Sequence, residues 1–183
     1  MQNNIIIFFF IILNLTILNA HSNDQINFDV SELEILDGGN KIIGKNRGNI
    51  STSDGINIEA DKFEFDKTQN ILKAQGNIII KDQLNNYSFL AQEILYLKND
   101  ERIEIKGKSE VIFDENYKFE IKNATILRNE MIISSNVGAV ILNSSSQTRY
   151  EVGKFNYSLK NKILKGEKIF VNTKYNQPFS DKF

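Results

Sequence analysis

A repeat of about thirty residues constrains the fold of this chain more than any other feature. An apolar quartet with the spacing i, i+2, i+5, i+7 starts at positions 28, 58, 89, 119 and 150, so the steps are 30, 31, 30 and 31 residues. A chance alternation would drift out of phase, so the pattern predicts a stack of similar units. The quartets are Phe28, Val30, Leu33, Ile35; Ile58, Ala60, Phe63, Phe65; Phe89, Ala91, Ile94, Tyr96; Phe119, Ile121, Ala124, Ile126; and Tyr150, Val152, Phe155, Tyr157.

The second half of each unit keeps the same phase. Fourteen residues after each start lies an aliphatic residue, in turn Ile42, Leu72, Ile103, Ile133 and Leu164. Eight residues further lie Ile50, Ile80, Val111 and Ile141, and only Asn172 breaks the rule. Each unit is therefore predicted to hold two strands.

The quartet spacing predicts that the strands are bent. In a straight strand Phe63 would point to the opposite face from Ile58. One apolar face requires a one-residue slip near Asp61, as in a β-bulge. Short polar segments such as 66–70 and 82–86 then join antiparallel neighbours. We expect an all-β fold, an elongated antiparallel β-jelly-roll or folded sheet built from five repeats of bent strands. A right-handed parallel β-helix is the alternative, less favoured because two turn types alternate in each unit.

The N-terminus predicts export. Residues 1–20 carry no charge and contain a solid apolar run before Ala20, as in a cleaved signal peptide. An uncleaved anchor is the alternative, but the apolar stretch 5–18 is shorter than the roughly 20 residues of a membrane span. We expect a short polar segment at 21–27, the repeat domain at 28–175 and a tail at 176–183. The tail is typical of a truncation point, so both a longer protein and a stand-alone homologue stay open.

Composition argues against several functions. The chain has no Cys and one His, His21, so thiolate chemistry and two-His metal sites are excluded. Basic and acidic residues number 22 and 23, which disfavours a nucleic-acid partner. Glu59 and Asp61 are candidate paired carboxylates, but we expect Asp61 to cap the bulge by hydrogen-bonding local backbone. Three further acidic residues are expected on a solvated face, namely Asp100, Glu101 and Asp114. No enzyme activity, catalytic residue, cofactor or metal is expected.

The segment 55–82, GINIEADKFEFDKTQNILKAQGNIIIKD, resembles the repeat of the OstA-like domain family. In that repeat a Gly precedes an apolar strand, followed by Ala-Asp, an aromatic pair, a polar turn and Ala-x-Gly-Asn. The segment 31–55, SELEILDGGNKIIGKNRGNISTSDG, resembles the opening of the domain. The resemblance covers about 28–172 and is looser after 119, where Ser135 and Val137 replace the Ala-x-Gly pattern.

The family includes a periplasmic lipopolysaccharide-transport bridge protein and the N-terminal periplasmic domain of the outer-membrane lipopolysaccharide assembly protein. The opening segment is more similar to the second, and the subtype stays open. The resemblance implies a periplasmic module, associated with the outer membrane, that shields lipid A acyl chains in an apolar groove between the sheets. We expect the strand bends to hold the sheets apart on one side. The candidate groove residues are Ile58, Ala60, Phe63, Phe65, Leu72, Ile80, Phe89, Ile94, Tyr96, Ile103, Val111, Phe119, Ile126 and Ile133.

A stack of strands that does not close leaves two unpaired edges, which invite strand addition by a partner. The expected partners are lipopolysaccharide, other OstA-like β-folds of the transport bridge, and the outer-membrane assembly complex. The candidate edge residues are Phe28, Val30, Leu33, Ile35, Tyr150, Val152, Phe155 and Phe170. A structural scaffold or adhesion module with a dry core is the alternative. A carbohydrate-active β-helix enzyme is a third, but no carboxylate or basic column lies on one face.

Overall fold

The computed structural model describes residues 26–113 and 116–173, which form fourteen β-strands and two short 3₁₀ turns. The predicted signal peptide, Asp114 and the tail from 174 onward lie outside the described residues. The 3₁₀ turns are Asp37–Gly39 and Lys98–Asp100. The strands are β1 (Ile26–Leu36), β2 (Lys41–Thr52), β3 (Ile56–Ala60), β4 (Lys62–Asp66), β5 (Ile71–Asp82), β6 (Tyr87–Leu97), β7 (Arg102–Phe113), β8 (Tyr117–Leu127), β9 (Ile132–Ser135), β10 (Ala139–Asn143), β11 (Thr148–Val152), β12 (Lys154–Ser158), β13 (Ile163–Glu167) and β14 (Phe170–Thr173).

The strands form a single antiparallel meander. Among the described strands, β3 and β4, β9 and β10, β11 and β12, and β13 and β14 do not pair with each other, because the two members of each couple are parts of one bent strand. The other strands pair with those that precede and follow them along the meander, and every pairing described is antiparallel. This register confirms the predicted all-β jelly-roll-like fold and excludes parallel β-helix coils for the described part of the chain. Because consecutive strands are joined by short polar turns, the meander needs no crossover connection.

The predicted bend is present in the middle of the strands. Asp61 separates β3 from β4; its N–H donates to Gly76 O at 3.0 Å, and its carbonyl accepts from Arg47 N–H at 3.1 Å. Gly76 has φ +79°, a backbone conformation that glycine adopts without a steric penalty. Pairing registers shift at the same level of the β1–β2, β5–β6, β6–β7 and β7–β8 ladders. Because these irregularities align, the whole sheet folds over on itself.

Folding produces two facing layers. The first layer contains β3, β10, β11 and β14 with the halves of the long strands that pair with them, and the second contains β4, β9, β12 and β13 with the other halves. One apolar core lies between them. Phe119 on β8 packs against Tyr157 and Phe155 on β12, with ring centroids 4.9 and 6.2 Å apart.

Buried polar residues lie at the margins of this core. The bend side holds Ser109 and Ser135, and the other six lie where the layers end: Thr52, Asp82, Lys98, Arg128, Asn143 and Thr148. The interior between the margins is thus lined by apolar side chains, since a polar group there would lose its hydration without a partner. Within residues 26–113 and 116–173, none of the helical segments has the length and apolarity needed to cross a membrane.

Candidate functional site: the inter-layer core and its mouth

The fourteen candidate groove residues share the inner face, as the quartet pattern predicts. Each is buried, with an exposed fraction between 0% and 7%. The expectation that the bends hold the layers apart is wrong for this structure, because these side chains pack into one continuous core. Side chains of this size gain more from mutual contact than from an empty trough, so the layers close.

One of the two predicted sheet edges lies on the expected strand. Phe28, Val30, Leu33 and Ile35 belong to β1, which among the described residues pairs on one side only, with β2. Leu33 is 43% exposed and Ile35 is 61% exposed. Their side chains therefore stay available next to the unpaired backbone of β1.

The other edge agrees with the expectation at Phe170 and differs from it at three residues. Tyr150 on β11 and Phe155 on β12 are paired on both sides, and Val152 belongs to the same inner strand β11, so none of the three lies on an edge strand. The turn at 159–162 returns the chain once more, and β13 and β14 form the edge instead. Phe170 lies on this edge and is 70% exposed.

Arg47 neutralises the two carboxylates at the bend. Its guanidinium contacts Glu59 Oε1 at 2.8 Å and Asp61 Oδ1 at 2.9 Å. Asn77 Nδ2 donates to the other Asp61 oxygen at 2.8 Å. Asp61 therefore joins neighbouring strands through side-chain contacts, rather than capping local backbone as expected. The two carboxylates thus share one guanidinium in an ion-pair network.

A second charge cluster closes the side opposite the bends, and we call it the Arg128 cluster: Asp54, Asp82, Tyr96, Glu101 and Arg128. Asp54 and Asp82 lie at the strand ends of the first layer, on the side opposite the bends. Glu101 and Arg128 lie at the strand ends of the second layer on the same side. Arg128 Nε donates to Asp82 Oδ2 at 2.9 Å, and Nη2 donates to the Asp54 carbonyl at 3.2 Å. Arg128 Nη1 also contacts the carboxylates of Asp54 and Glu101.

Hydrogen bonds complete the cluster around the Tyr96 hydroxyl. Arg128 Nη1 donates to that hydroxyl at 3.0 Å, and its guanidinium carbon lies 5.9 Å from the ring centroid. Tyr96 OH lies 3.2 Å from Asp54 Oδ2 and 3.1 Å from Glu101 Oε2. The side chains of Arg128 and Asp82 are 5% and 0% exposed. The cluster thus holds one buried guanidinium among three carboxylates.

This environment shifts the pKa values of the three carboxylates in different directions. Burial by itself would raise the pKa of Asp82, but hydrogen bonds from neighbours including Asn85 and Arg128 outweigh it, so that pKa lies below its ordinary value. The pKa of Asp54 is lowered in the same way: burial opposes, and hydrogen bonds with Thr52 and Arg128 prevail. Burial dominates at Glu101 and raises its pKa despite Arg128.

The guanidinium stays charged. Burial would lower the pKa of Arg128, but Tyr96, Asp82 and Asp54 outweigh it and raise that pKa. Burial raises the pKa of Tyr87 and of Tyr96, so both phenols remain protonated at neutral pH. The side of the core opposite the bends is therefore held by a permanent cation and by two ionised aspartates.

Sequence reasoning assigned no role to Arg128 or Asp82 and placed Glu101 on a solvated face. The Glu101 expectation is wrong, because Glu101 contacts a buried arginine from a different turn. The repeat contains a pattern that could have indicated this cluster. Nine residues after a quartet start, three copies carry a cation, in Lys67, Lys98 and Arg128, and the last two are buried. A polar residue also ends strands β2, β5 and β10, namely Thr52, Asp82 and Asn143.

An open groove of about 1280 Å³ runs along the outer face of the first layer beside the bends. Its lining includes Ile79, Leu90 and Val140, and also core residues next to the bends such as Ile121 and Ala139. None of the fourteen inner-face candidates lines it. Lys108 and Lys122 border it and lie directly opposite each other in the β7–β8 register.

The folded antiparallel meander and its apolar inter-layer core define a β-jelly-roll of the LptA-like type. A crystal structure of LptH from Pseudomonas aeruginosa, the LptA-homologous periplasmic component of its lipopolysaccharide transport device, has a similar fold. The TM-score is 0.57 at 15% sequence identity, and the similarity covers 69% of this chain and 99% of LptH. At this identity the likeness establishes the fold. No family model and no curated protein matches the sequence.

Proposed function

We propose that this protein is a non-enzymatic periplasmic module of lipopolysaccharide transport and assembly, exported by the signal peptide at 1–20. It shields acyl chains between its two layers and passes them toward the outer membrane. The observation that carries this proposal is the inner face, where apolar side chains continue across the layers and buried polar residues stand only at the margins. The OstA-like repeat in 55–82 and the fold shared with LptH support it.

The free energy of burying an acyl chain limits how such a core can carry lipid. Burying one methylene gains about 0.8 kcal/mol, so a chain of about a dozen carbons gains roughly 10 kcal/mol if fully enclosed. A permanently open groove with this gain would trap its cargo. In a closed core the layers must part first, which exposes inner side chains such as Phe89 and Phe119, both fully buried at rest. The cost of parting offsets the gain of burial and leaves binding reversible.

The edges supply the connection to partner molecules. Within residues 26–113 and 116–173, β1 at one edge and β13–β14 at the other present backbone without a partner strand. Exposed apolar side chains lie beside it, including Ile35, Ile163 and Val171 at 61%, 50% and 58% exposure. A partner of the same β-fold can add its edge strand to either side and extend both layers. Stacked modules would then share one continuous apolar interior, which leads to the outer-membrane assembly complex.

Site-specific photo-crosslinking tests the proposal. A photoreactive phenylalanine analogue replaces Phe119 on the inner face or Glu120 on the outer face of the same strand; these are buried and exposed, respectively. With lipopolysaccharide, we expect crosslinks at position 119 and none at position 120. Circular dichroism of both variants checks that the strand content is unchanged.

A structural scaffold with a dry core is the second candidate function, and the packing favours it directly. The ring contacts of Phe119 with Tyr157 and Phe155 leave the inner face filled by the protein's own side chains. Crosslinking at neither position in folded variants, together with no binding of lipopolysaccharide by delipidated protein, would establish the scaffold and remove the transport proposal.

A further inference from the structure

The two long margins of the core have different chemistry. On the bend side the layers are joined covalently by the strands themselves, since each bent strand runs from one layer into the other. On the opposite side, which we call the mouth, the layers end in separate turns. There Arg128 of the second layer contacts Asp54 and Asp82 of the first. The mouth can therefore part without breaking a strand.

Charged contacts make the mouth easier to open than an apolar seam. Buried ion pairs give back much of their attraction as desolvation, so their separation into water costs far less than the attraction itself. When the mouth parts, Arg128, Asp54 and Asp82 each regain water. Apolar residues deeper in the core, such as Phe89 and Ile103, gain no such compensation.

An exposed apolar side chain, Leu84, lies beside the Arg128 cluster, and we call it the foothold. Leu84, in the turn between β5 and β6, is 73% exposed. It lies against Gly55, where an added Cβ would come within 2.9 Å of Leu84 Cγ, and Gln83 N–H donates to Gly55 O at 3.1 Å. The turns that carry Asp54 and Asp82 thus pack together and present Leu84 to solvent at the mouth.

We propose that acyl chains enter and leave the core sideways through the mouth, with the Arg128 cluster as the clasp that parts and closes over them and Leu84 as their first apolar contact. This inference rests on the proposed function. It names the side of the molecule that admits the cargo and the residues that control access. The alternative routes are the two edges at β1 and at β13–β14.

A covalent lock tests the route. The chain contains no Cys, so introduced thiols react selectively. Gln83→Cys and Asn129→Cys place thiols on exposed residues next to Asp82 and Arg128, one on each layer, and a short bismaleimide joins them. Asn99→Cys with Asn129→Cys gives the control, because both residues lie in turns of the second layer. The probe is 11-(dansylamino)undecanoic acid, whose emission rises in an apolar environment.

We expect the cross-layer lock to slow probe entry at least about tenfold and the same-layer link to leave the rate unchanged. If the probe enters the cross-layer locked protein at the unlinked rate, the mouth is not the route. The proposed function would remain intact in that case, because the probe still binds. Absence of probe binding in every form, together with no crosslinking of lipopolysaccharide at position 119, would overturn both. If lipopolysaccharide crosslinks at position 119 but the probe does not bind, the proposed function stands and the same locked and linked proteins are compared by the rate of that crosslinking.

Substitutions give an independent measure. Arg128→Met removes the clasp, and we expect probe entry to accelerate about tenfold or more, since the buried carboxylates then favour a hydrated mouth. Lys106→Met removes an exposed ion pair with Glu93 on the second layer and should leave the rate unchanged. Leu84→Ser should slow entry without changing unfolding. An unchanged rate in the folded Arg128→Met and Leu84→Ser variants would contradict the clasp and the foothold.

Discussion

Asp82 and Arg128 are 46 residues apart in the sequence and lie on different layers, yet Arg128 Nε is 2.9 Å from Asp82 Oδ2. The contact joins the end of β5 to the turn after β8, across the mouth of the folded sheet. Asn85 donates to both oxygens of Asp82, from its backbone N–H at 3.0 Å and from Nδ2 at 2.9 Å. Asp82 is therefore positioned by its own turn as well as by Arg128.

Loss of the arginine should destabilise the fold. Arg128→Met leaves three carboxylates at the mouth without their cation, and we expect the free energy of unfolding to fall by about 3–5 kcal/mol. Urea denaturation at pH 7 measures it. Adding Asp54→Asn and Asp82→Asn to Arg128→Met should restore most of the loss, because neutral amides tolerate burial better than unpaired charges. A loss below about 1 kcal/mol in the single variant would show that the cluster is solvated.

Neutralising Asp82 and neutralising Glu101 should change the stability of the fold in opposite directions. The pKa of Asp82 is lowered in the folded state, so its carboxylate stabilises the fold above its unfolded pKa of about 3.9, and this is lost as pH falls through the folded pKa. The pKa of Glu101 is raised, so its ionised form costs stability at neutral pH. We expect Asp82→Asn to destabilise and Glu101→Gln to stabilise at pH 7.

Chemical denaturation at pH 7 and at about pH 3 checks the sign of these two stability changes. At about pH 3 Glu101 is protonated in both states, so the gain from Glu101→Gln should vanish there. The loss from Asp82→Asn should shrink over the same range. A destabilising Glu101→Gln at pH 7 would contradict the assignment of Glu101 as the poorly compensated carboxylate.

Two glycines form a matched pair at the bend. Gly76 and Gly107 both have φ +79°, but a Cβ at Gly76 would lie 2.5 Å from Asp61 Oδ2, whereas nothing lies within 4 Å at Gly107. Gly107→Ala should cost only the left-handed backbone, about 1–2 kcal/mol. Gly76→Ala should cost more, because Arg47 and Asn77 hold Asp61 in place. Thermal unfolding of the two variants measures the difference, and equal costs would show that Asp61 moves freely.

The edge strands should govern association. Phe170→Lys on β14 places a charge beside the unpaired backbone, and we expect it to weaken self-association or partner binding at that edge. Ile35→Lys tests β1 in the same way. Leu84→Lys is the control, since Leu84 is 73% exposed but lies in a turn rather than on an edge. Sedimentation velocity compares them, and equal behaviour of all three would exclude edge-to-edge joining.

Cross-strand charge on the outer face gives a stability test. Lys108 and Lys122 lie directly opposite each other on β7 and β8, so Lys122→Glu should create an opposite-charge pair and stabilise by about 0.5 kcal/mol at low salt. Lys154 lies opposite Glu167, and Lys154→Glu should destabilise by a similar amount. Chemical denaturation at low and high salt measures both, and a gain that survives high salt would not be electrostatic.

The period of the sequence by itself determined the strands, their bends and the face that each presents. Side-chain direction alternates along a strand, so a shift of parity such as that between Ile58 and Phe63 reports a bulge without any knowledge of the partner strand. The order of the repeats identified β1 and Phe170 as edge positions. It also assigned Tyr150, Val152 and Phe155 to the second edge, because the exposed segment 163–173 departs from the apolar pattern that marks a buried strand.

Only the tertiary structure decided whether the layers stand apart or close, and which polar residues meet at the mouth. Closure depends on the fit of side chains from strands far apart in the chain, and no local pattern records that fit. Asp54, Glu101 and Arg128 lie in three separate turns and Asp82 ends a strand, positions where charged residues are ordinarily solvated. Folding of the sheet brings those turns within hydrogen-bonding distance, and burial converts surface charges into the clasp of the Arg128 cluster.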